Sequence, residues 1–437
     1  MAKQARQTAV EVLLQVNEEG GYSNAVFHNM VKRNQLSPQD TALTGALVYG
    51  VLERKLTLDH IIGAYSKKPV AKLTPEVREI LRISLYQLLY LEHIPDSAAV
   101  HEGVKLTRTL RVASASGFVN GVLRSFLRDN KAIPKAKSKG LAQEWQIQYS
   151  CPQELIQRLL KSCTKEQVQS LLEHSLGRPE LFARVNTTKL TSQELCGLLE
   201  QQGVTAEQVQ DLENCLSLSH TDSLEKLPAF QQGLFHIQDK SSQLCARLLK
   251  AEPEQRVLDV CAAPGSKSFT ISEYMENKGQ VISCDIYPEK VKKIEEGASR
   301  LGLSIIEPRV NDAAVFSEEL GSFDRVLCDV PCSGLGIISR KPEIKYKDPK
   351  EFAGLPPIQA QILETSARYL KKGGILTYST CTVLPEENEN IVKAFLENHP
   401  DFEPYEQPEH TSGWYTALFP NMRGSDGFFI ATIRKIR

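Results

Sequence analysis

Two cysteines in this 437-residue chain stand where a nucleophile would be expected. Cys332 lies in DVPCSG, directly after the apolar run FDRVL, and Cys381 closes LTYSTC, again after an apolar run. One such thiol is as well explained by packing; two, at the mouths of two strands, imply a shared site. A thiolate that bonds to its substrate divides one difficult step into easier ones. A free thiol has a pKa of about 8.5, so only a few per cent is thiolate at neutral pH and the surroundings must favour the anion. Asp329 offers a carboxyl group for proton exchange beside Cys332. Pro331 fixes φ and removes a donor, which turns the chain sharply into the site.

The elements that must position these residues occupy the chain from about 232 onward. RVLDVCA, QVISCDI, SIIEPRV, FDRVLCDV and GILTYSTC are short apolar runs, as expected of strands buried on both faces. Between them FTISEYMENK, PEKVKKIEEGASRLG and IQAQILETSARYLKKGG read as helices. The alternation predicts an α/β, doubly wound parallel sheet, and FFIATIRKI adds a last strand, antiparallel at one edge. Ligands of such sheets bind beyond the carboxyl ends of the strands. LDVCAAPGSKS, residues 258–268, follows the first strand and opens a helix, with Gly265 admitting close backbone approach and the helix start offering amides. It lacks GxGxxG, and Ser266 stands before Lys267 where a Walker A loop has glycine. Asp285 closes the second strand at the spacing of a ribose-binding carboxylate, and Asp312 follows the third, placed to meet an adenine edge. Each carboxylate singly would be a turn or cap residue; with Asp329 and the loop they indicate a nucleoside. A loop without phosphate-binding machinery suggests S-adenosylmethionine. The expected contacts are Cys261, Ala262, Ala263, Pro264, Gly265, Ser266 and Lys267, with Asp285, Asp312 and Asp329.

Residues 1–140 read as all-helical. TALTGALVYGVLERKL, TPEVREILRISLYQLLYL and SAAVHEGVKLTRTL repeat apolar positions near i, i+3, i+4 and i+7. LEHIPDS reads as a loop ending in a helix cap at Asp96 or Ser97, and the lysine-rich KAIPKAKSKG around Pro134 as a linker. Residues 141–231 form a small connector, α/β or helical. YSCPQELIQRLLKSC, TKEQVQSLLEHSL and SQELCGLLEQQGV suggest helices there, and LFARVNTTK a strand. The catalytic domain is then 232–437. The net charge of −1 hides an asymmetry: residues 1–150 carry 20 Lys and Arg against 13 Asp and Glu, a net +7. Residues 101–140 alone carry 9 against 2, a basic patch suited to phosphates. No run approaches the ~18 apolar residues of a membrane span. The early Glu11, Glu18 and Glu19 fit neither a signal nor a transit peptide. The ten cysteines show no CxxC and no zinc spacing. A cytoplasmic protein with reduced thiols, no metal and a monomeric state is expected. Cys284 and Cys328 read as small buried hydrophobes, and no histidine falls in these motifs.

CAAPGSKS, DVPCSGLG, YSTCTVLPEENE and GSDGFF together resemble the motif set of RNA 5-methylcytosine methyltransferases. LVYGVLERKLTLD, LRISLYQLLYL, IPDSAAVHEGV and SGFVNGVLR resemble a NusB-like helical domain. Joined by a connector, the two are similar to the bacterial RsmB (Sun/Fmu) small-subunit rRNA methyltransferases over nearly the whole chain. The family loop usually runs Gly-Gly-Lys-Thr where this chain has Gly265, Ser266, Lys267 and Ser268. The resemblance implies a Rossmann-like methyltransferase domain that methylates carbon 5 of a specific cytosine in 16S rRNA, of the 967-equivalent type. The residues alone permit either thiol to attack. DNA cytosine-5 methyltransferases use the Pro-Cys position, which would select Cys332. The RNA family implies Cys381 as nucleophile, Cys332 as release aid, Asp329 facing cofactor and cytosine, and Lys267 at the base. A tRNA methyltransferase would share these motifs, and a non-catalytic NusB-like RNA-binding factor would need only the first domain.

Overall fold

A computed structural model describes residues 5–136, 140–221, 224–420 and 424–437. The chain divides into two compact units. The first holds the chain up to Val168, Ser175–Gly177 and the distant segment Ile338–Lys347; the second holds the rest.

The first unit is helical: α1 Ala5–Glu19, α2 Ser23–Asn34, α3 Pro38–Tyr65, α4 Pro75–Tyr90, α5 Asp96–Thr109, α6 Ser116–Arg128, α7 Leu141–Tyr149 and α8 Gln153–Ser162. α4 is the central helix, packed against α1, α3, α5 and α6. Its Leu81, Ile83, Leu85 and Ile80 are all fully buried. Burial on nearly every side also encloses Glu79, which Arg82 meets at 2.5 Å while gripping Asp59 through two further nitrogens at 2.8 and 2.7 Å. A buried carboxylate needs such a partner. α6 buries Val119, Val122, Leu123 and Phe126, the i, i+3, i+4, i+7 stripe of an amphipathic helix.

α3 is kinked at Arg54, whose φ of −109° and ψ of 15° are not helical. A kink strips backbone groups of their partners, and these must be satisfied elsewhere. The 3₁₀ turn Pro342–Tyr346 does so. Tyr346 donates its hydroxyl to Leu52 O at 2.8 Å, and Lys345 Nζ donates to Glu53 O at 2.9 Å. Ser150 Oγ accepts from Leu56 N at 2.8 Å. A segment that follows DVPCSG in sequence is thus built into the helical unit.

The second unit contains two sheets. After α9 Lys165–His174 come β1 Leu181–Val185, α10 Ser192–Gln201, β2 Thr205–Gln208, β3 Cys215–Ser219, the short α11 Pro228–Gln231 and β4 Phe235–Ile237. These strands form an antiparallel sheet in the order β2-β3-β1-β4. The connector is therefore an α+β layer with a complete sheet, of which the sequence indicated only β1. β2 is the polar TAEQ with no alternation to announce it, and β4 lies beyond residue 231. α10 carries a reciprocal cap between Thr191 and Glu194.

The larger sheet follows α12 Lys240–Leu248: β5 Arg256–Asp259, α13 Ser266–Tyr274, β6 Gln280–Asp285, α14 Pro288–Leu301, β7 Ile306–Val310 and β8 Phe323–Asp329. Then come α15 Pro349–Ala353, α16 Leu355–Arg368, β9 Leu370–Thr380, α17 Glu389–Asn398, β10 Phe402–Pro404, β11 Tyr415–Leu418 and β12 Phe428–Lys435. The order is β10-β12-β9-β8-β5-β6-β7, with β11 on β12. β5 to β9 are mutually parallel, so the doubly wound core stands, and the chain reverses direction of winding between β5 and β8.

Three local expectations are corrected. Neither Asp96 nor Ser97 caps α5: Pro95 is the N-cap, and Asp96 is the first helical residue, paired with Lys131 at 2.7 Å. β12 is antiparallel but not at the edge, because β10 and β11 cover it. YLKKGG does not extend the helix; β9 begins at Leu370, and Gly374 lies where a Cβ would be 2.9 Å from Asp324 O of β8. Of the lysine-rich linker, residues 137–139 lie outside the described residues, while Pro134 O accepts from the His60 ring at 2.8 Å.

Candidate active site

The carboxyl ends of β5, β6, β7, β8 and β9 carry the residues singled out by sequence. Beyond β5, Cys261, Ala262, Ala263 and Pro264 lead into Gly265, the N-cap of α13, with φ at +109°. Its amide donates to Ala262 O at 2.7 Å, and a Cβ there would stand 2.5 Å from the Phe269 ring. Strain and collision together require glycine. The Ala262 amide ties the loop to Cys284 O of β6 at 2.7 Å. Beneath the loop, Ser268 donates to Asp259 at 2.7 Å and accepts from Ser283 at 2.8 Å. Burial pushes Asp259 up to about 7, with the Ser268 hydroxyl acting the other way. Burial likewise pushes the Cys261 thiol far up, which disfavours the thiolate there.

Asp285 ends β6, and its Oδ1 accepts from Tyr287 N at 3.1 Å. The next two side chains, Ile286 and Tyr287, are 50% and 51% exposed. Two large apolar groups in water beside a strand-end carboxylate suit the flat face of a nucleoside. Asp312, exposed beyond β7, accepts from Ala314 N at 2.9 Å and so also serves its own turn. Asn311 N reaches Asp285 O at 3.1 Å, joining the two strand ends. The donor set fits S-adenosylmethionine: a helix start behind an obligatory glycine, a carboxylate at the ribose spacing and exposed apolar surface.

β8 and β9 bring the remaining candidates together. Lys267 Nζ lies 2.8 Å from Asp329 Oδ2, while Ser379 Oγ donates to Asp329 Oδ1 at 2.6 Å. Burial opposes charge on Lys267, but the Asp329 carboxylate overcomes it and raises the lysine above its ordinary value. Cys332 Sγ and Cys381 Sγ stand 3.2 Å apart, and the Cys381 amide donates to Cys332 Sγ at 3.3 Å. The hydrogen bond to Cys381, and then burial, push the Cys332 thiol well above the usual range. The two sulfurs are within hydrogen-bonding reach, and either thiol can donate to the other.

A buried framework fixes the two thiol loops. Glu387 Oε2 accepts from Ser333 N and from Gln359 Nε2, both at 2.9 Å, and Gln359 also donates to Pro331 O at 3.0 Å. Ser333 and Thr382 hydroxyls meet at 2.7 Å, and Asn388 Nδ2 donates to Thr382 O at 3.1 Å. Gly336 N donates to Cys381 O at 3.0 Å and Gly427 N to Gly336 O at 2.9 Å, which is how GSDGFF joins the site. Sequence reasoning passed over Ser379, Gln359, Glu387, Asn388, Ile286 and Tyr287. Ser379 is two residues from Cys381 and so shares its strand face, a readable signal; Gln359, deep in α16, has none.

The model for the 16S rRNA methyltransferase RsmB/F family matches residues 246–434, that for the NusB family residues 3–128, and that for the RsmF/B-like ferredoxin-like domain residues 151–225. The probable ribosomal RNA small subunit methyltransferase B of Bacillus subtilis is 39% identical over 98% of each chain. The ribosomal RNA small subunit methyltransferase B of Klebsiella pneumoniae is 33% identical over 99% of this chain and 98% of its own. Among solved structures, NSun6 of Pyrococcus horikoshii with SFG, an S-adenosylmethionine analogue, shares the fold with a TM-score of 0.60 at 22% identity, over 65% of this chain and 98% of that one.

Proposed function

The chain belongs to the RsmB/F family of 16S rRNA methyltransferases, and from that membership we propose that it methylates one specific cytosine at carbon 5 through a covalent bond to Cys381. The carrying observation is the 3.2 Å approach of the Cys332 and Cys381 sulfurs at the ends of β8 and β9. In the reaction, a proton held by Cys332 stabilises the developing sulfur anion of its neighbour.

Carbon 5 of cytosine is a weak nucleophile while the ring is conjugated. Cys381 Sγ bonds to carbon 6, the carbon 5–carbon 6 double bond opens, and carbon 5 gains enamine character. Negative charge moves towards nitrogen 3, where Asp329 and Lys267, held together by their ion pair, supply a hydrogen bond or a proton. S-adenosylmethionine supplies the electrophilic methyl group. Loop 261–267 would hold it with Asp285 towards the ribose and Asp312 towards the adenine. After the carbon 5 proton departs to base, the double bond re-forms and the carbon–sulfur bond breaks. The departing Cys381 thiolate is met again by the Cys332 proton, which makes it a better leaving group. Cys332 thus aids release.

Carbon 6 and carbon 5 are both blocked inside a duplex, so the cytosine must be unpaired or flipped out. The exposed Lys105, Arg108 and Arg111 provide a phosphate-binding surface for the surrounding rRNA. The test is trapping with 5-fluorocytosine-containing 16S rRNA, where the missing carbon 5 proton prevents release. Cys381→Ala should form no adduct. With ordinary rRNA, Cys332→Ala should accumulate one that the parent protein does not. The opposite pattern would exchange the two roles, and methylation mapped to tRNA rather than 16S rRNA would overturn the substrate.

A further inference from the structure

α6 contains Gly117 and Gly121, one turn apart on an otherwise amphipathic helix. Each glycine costs a helix about 1 kcal/mol relative to alanine. Packing does not demand either: a Cβ at Gly117 or at Gly121 would have nothing within 4 Å. Gly121 does border something else, a cavity of about 650 Å³ within the helical unit, between the end of α3, the start of α4 and α6. That is the size of a small-ligand site. Its walls are Val77, Leu73, Val122, Val112 and Phe118. Phe118 is only half-buried and makes no ring contact with another aromatic among the described residues. The rim carries Lys67, Lys68 and Lys72, all exposed and none in an ion pair among the described residues. Among the described residues no acidic side chain lines the cavity, and an acid that touches its lining, Asp129, accepts from the Tyr65 hydroxyl at 2.9 Å.

We propose that this cavity receives one unstacked nucleotide of the RNA substrate, its base on Phe118 and its flanking phosphates at Lys67, Lys68 and Lys72. An apolar wall with an unpaired aromatic face under a cationic rim is the combination that holds single-stranded nucleic acid: the ring stacks with any base, and the lysines track the backbone. Three cations without partners match phosphates rather than an apolar peptide segment. Gly121 keeps the space open. Lys105, Arg108 and Arg111 are not among the cavity's lining residues, and the site adds a shape-selective contact to theirs. The proposal rests on the reading of this chain as an RNA methyltransferase, but its test needs no methyl transfer.

The test is fluorescence anisotropy of a labelled single-stranded oligoribonucleotide on the full chain across a salt series. Gly121→Leu fills the cavity and favours the helix; it should weaken binding by about tenfold or more with the salt slope unchanged. Gly117→Leu, equal in helix propensity but outside the cavity, should bind as the parent does. Replacing Lys67, Lys68 and Lys72 by Gln should flatten the slope by about 2, at roughly 0.7 per phosphate contact on a single strand. Thermal melts of both leucine variants should be no lower than the parent's. RNA affinity unchanged in Gly121→Leu would overturn the proposal, as would a slope unchanged in the lysine variant. Because only binding is read, failure of the Cys381 chemistry leaves this result interpretable.

Discussion

Removing Glu387 should disable Cys332, the thiol to which we assign release, without touching either sulfur. Its carboxylate is fully buried and accepts from Ser333 N and Gln359 Nε2, both at 2.9 Å. Glu387→Ala leaves two buried donors without an acceptor, at about 1–3 kcal/mol each. The total, about 4 kcal/mol, is less than the ~5–15 kcal/mol that holds a domain folded, so the variant should remain native at moderate temperature. The freed amide belongs to the residue after Cys332, and Gln359 also holds Pro331 O on its other side. The Pro-Cys turn therefore loses one anchor outright and the carboxylate that orients the other. A displacement of about 1 Å in a reacting group costs on the order of 10²-fold in rate. Methyl transfer to 16S rRNA should fall by about that factor, while calorimetric affinity for S-adenosylmethionine should stay within twofold. A protein–RNA adduct should accumulate on denaturing gels, because Cys381 can still attack and Cys332 no longer assists departure. Glu387→Gln retains one acceptor oxygen and should lose about tenfold or less. An alanine variant that turns over within twofold of the parent would refute the anchoring argument. Loss of all adduct would instead show that the framework serves Cys381.

Tyr346→Phe should leave Leu52 O at the α3 kink without its 2.8 Å donor, at about 1–3 kcal/mol. For a unit of this size that is a fall in melting temperature of roughly 3–10 °C, and an unchanged melt would mean that water satisfies the kink. Asp259, raised to about 7 by burial against about 3.9 in the unfolded chain, binds more protons folded than unfolded between those values. Its contribution is complete below about pH 4 and lost as pH rises through about 7. Denaturant titrations at pH 5 and pH 8 should show Asp259→Asn gaining on the parent by about 3 kcal/mol between the two; a pH-independent difference would contradict the burial.

Why some of this molecule was legible follows from what each part is made of. The parallel strands β5, β6 and β8 are buried on both faces, so RVLD, VISCD and VLCD had to be apolar runs, and the residues closing them had to be at the ligand end. The strand-end positions of Asp285 on β6 and of Asp329 and Cys332 on and after β8 were readable for that reason. β2 was not, because an exposed strand at the edge of a small sheet needs no apolar face, and TAEQ has none. Nor was the function of residues 338–347 readable. Lys345 is 1% exposed, yet lysine in a sequence reads as a surface residue. Only the kink at Arg54, nearly three hundred residues away, explains why an ammonium is buried there. Its task is to satisfy a carbonyl, and burial accordingly lowers its pKa to about 8.

The departure of Gly265–Ser268 from the Gly-Gly-Lys-Thr of the family it resembles has a conformational answer. Only Gly265 lies at positive φ; Ser266 is the first residue of α13, with helical geometry that any side chain accepts. A second glycine is therefore dispensable here, and serine costs the helix less than glycine would. Position 268 does need a hydroxyl, since it donates to Asp259 and accepts from Ser283, and serine supplies that group as threonine would. Lys267, between them, keeps its place opposite Asp329. The loop thus differs where its backbone permits exchange and keeps its chemistry where the buried Asp259 of β5 and the half-buried Asp329 of β8 require it.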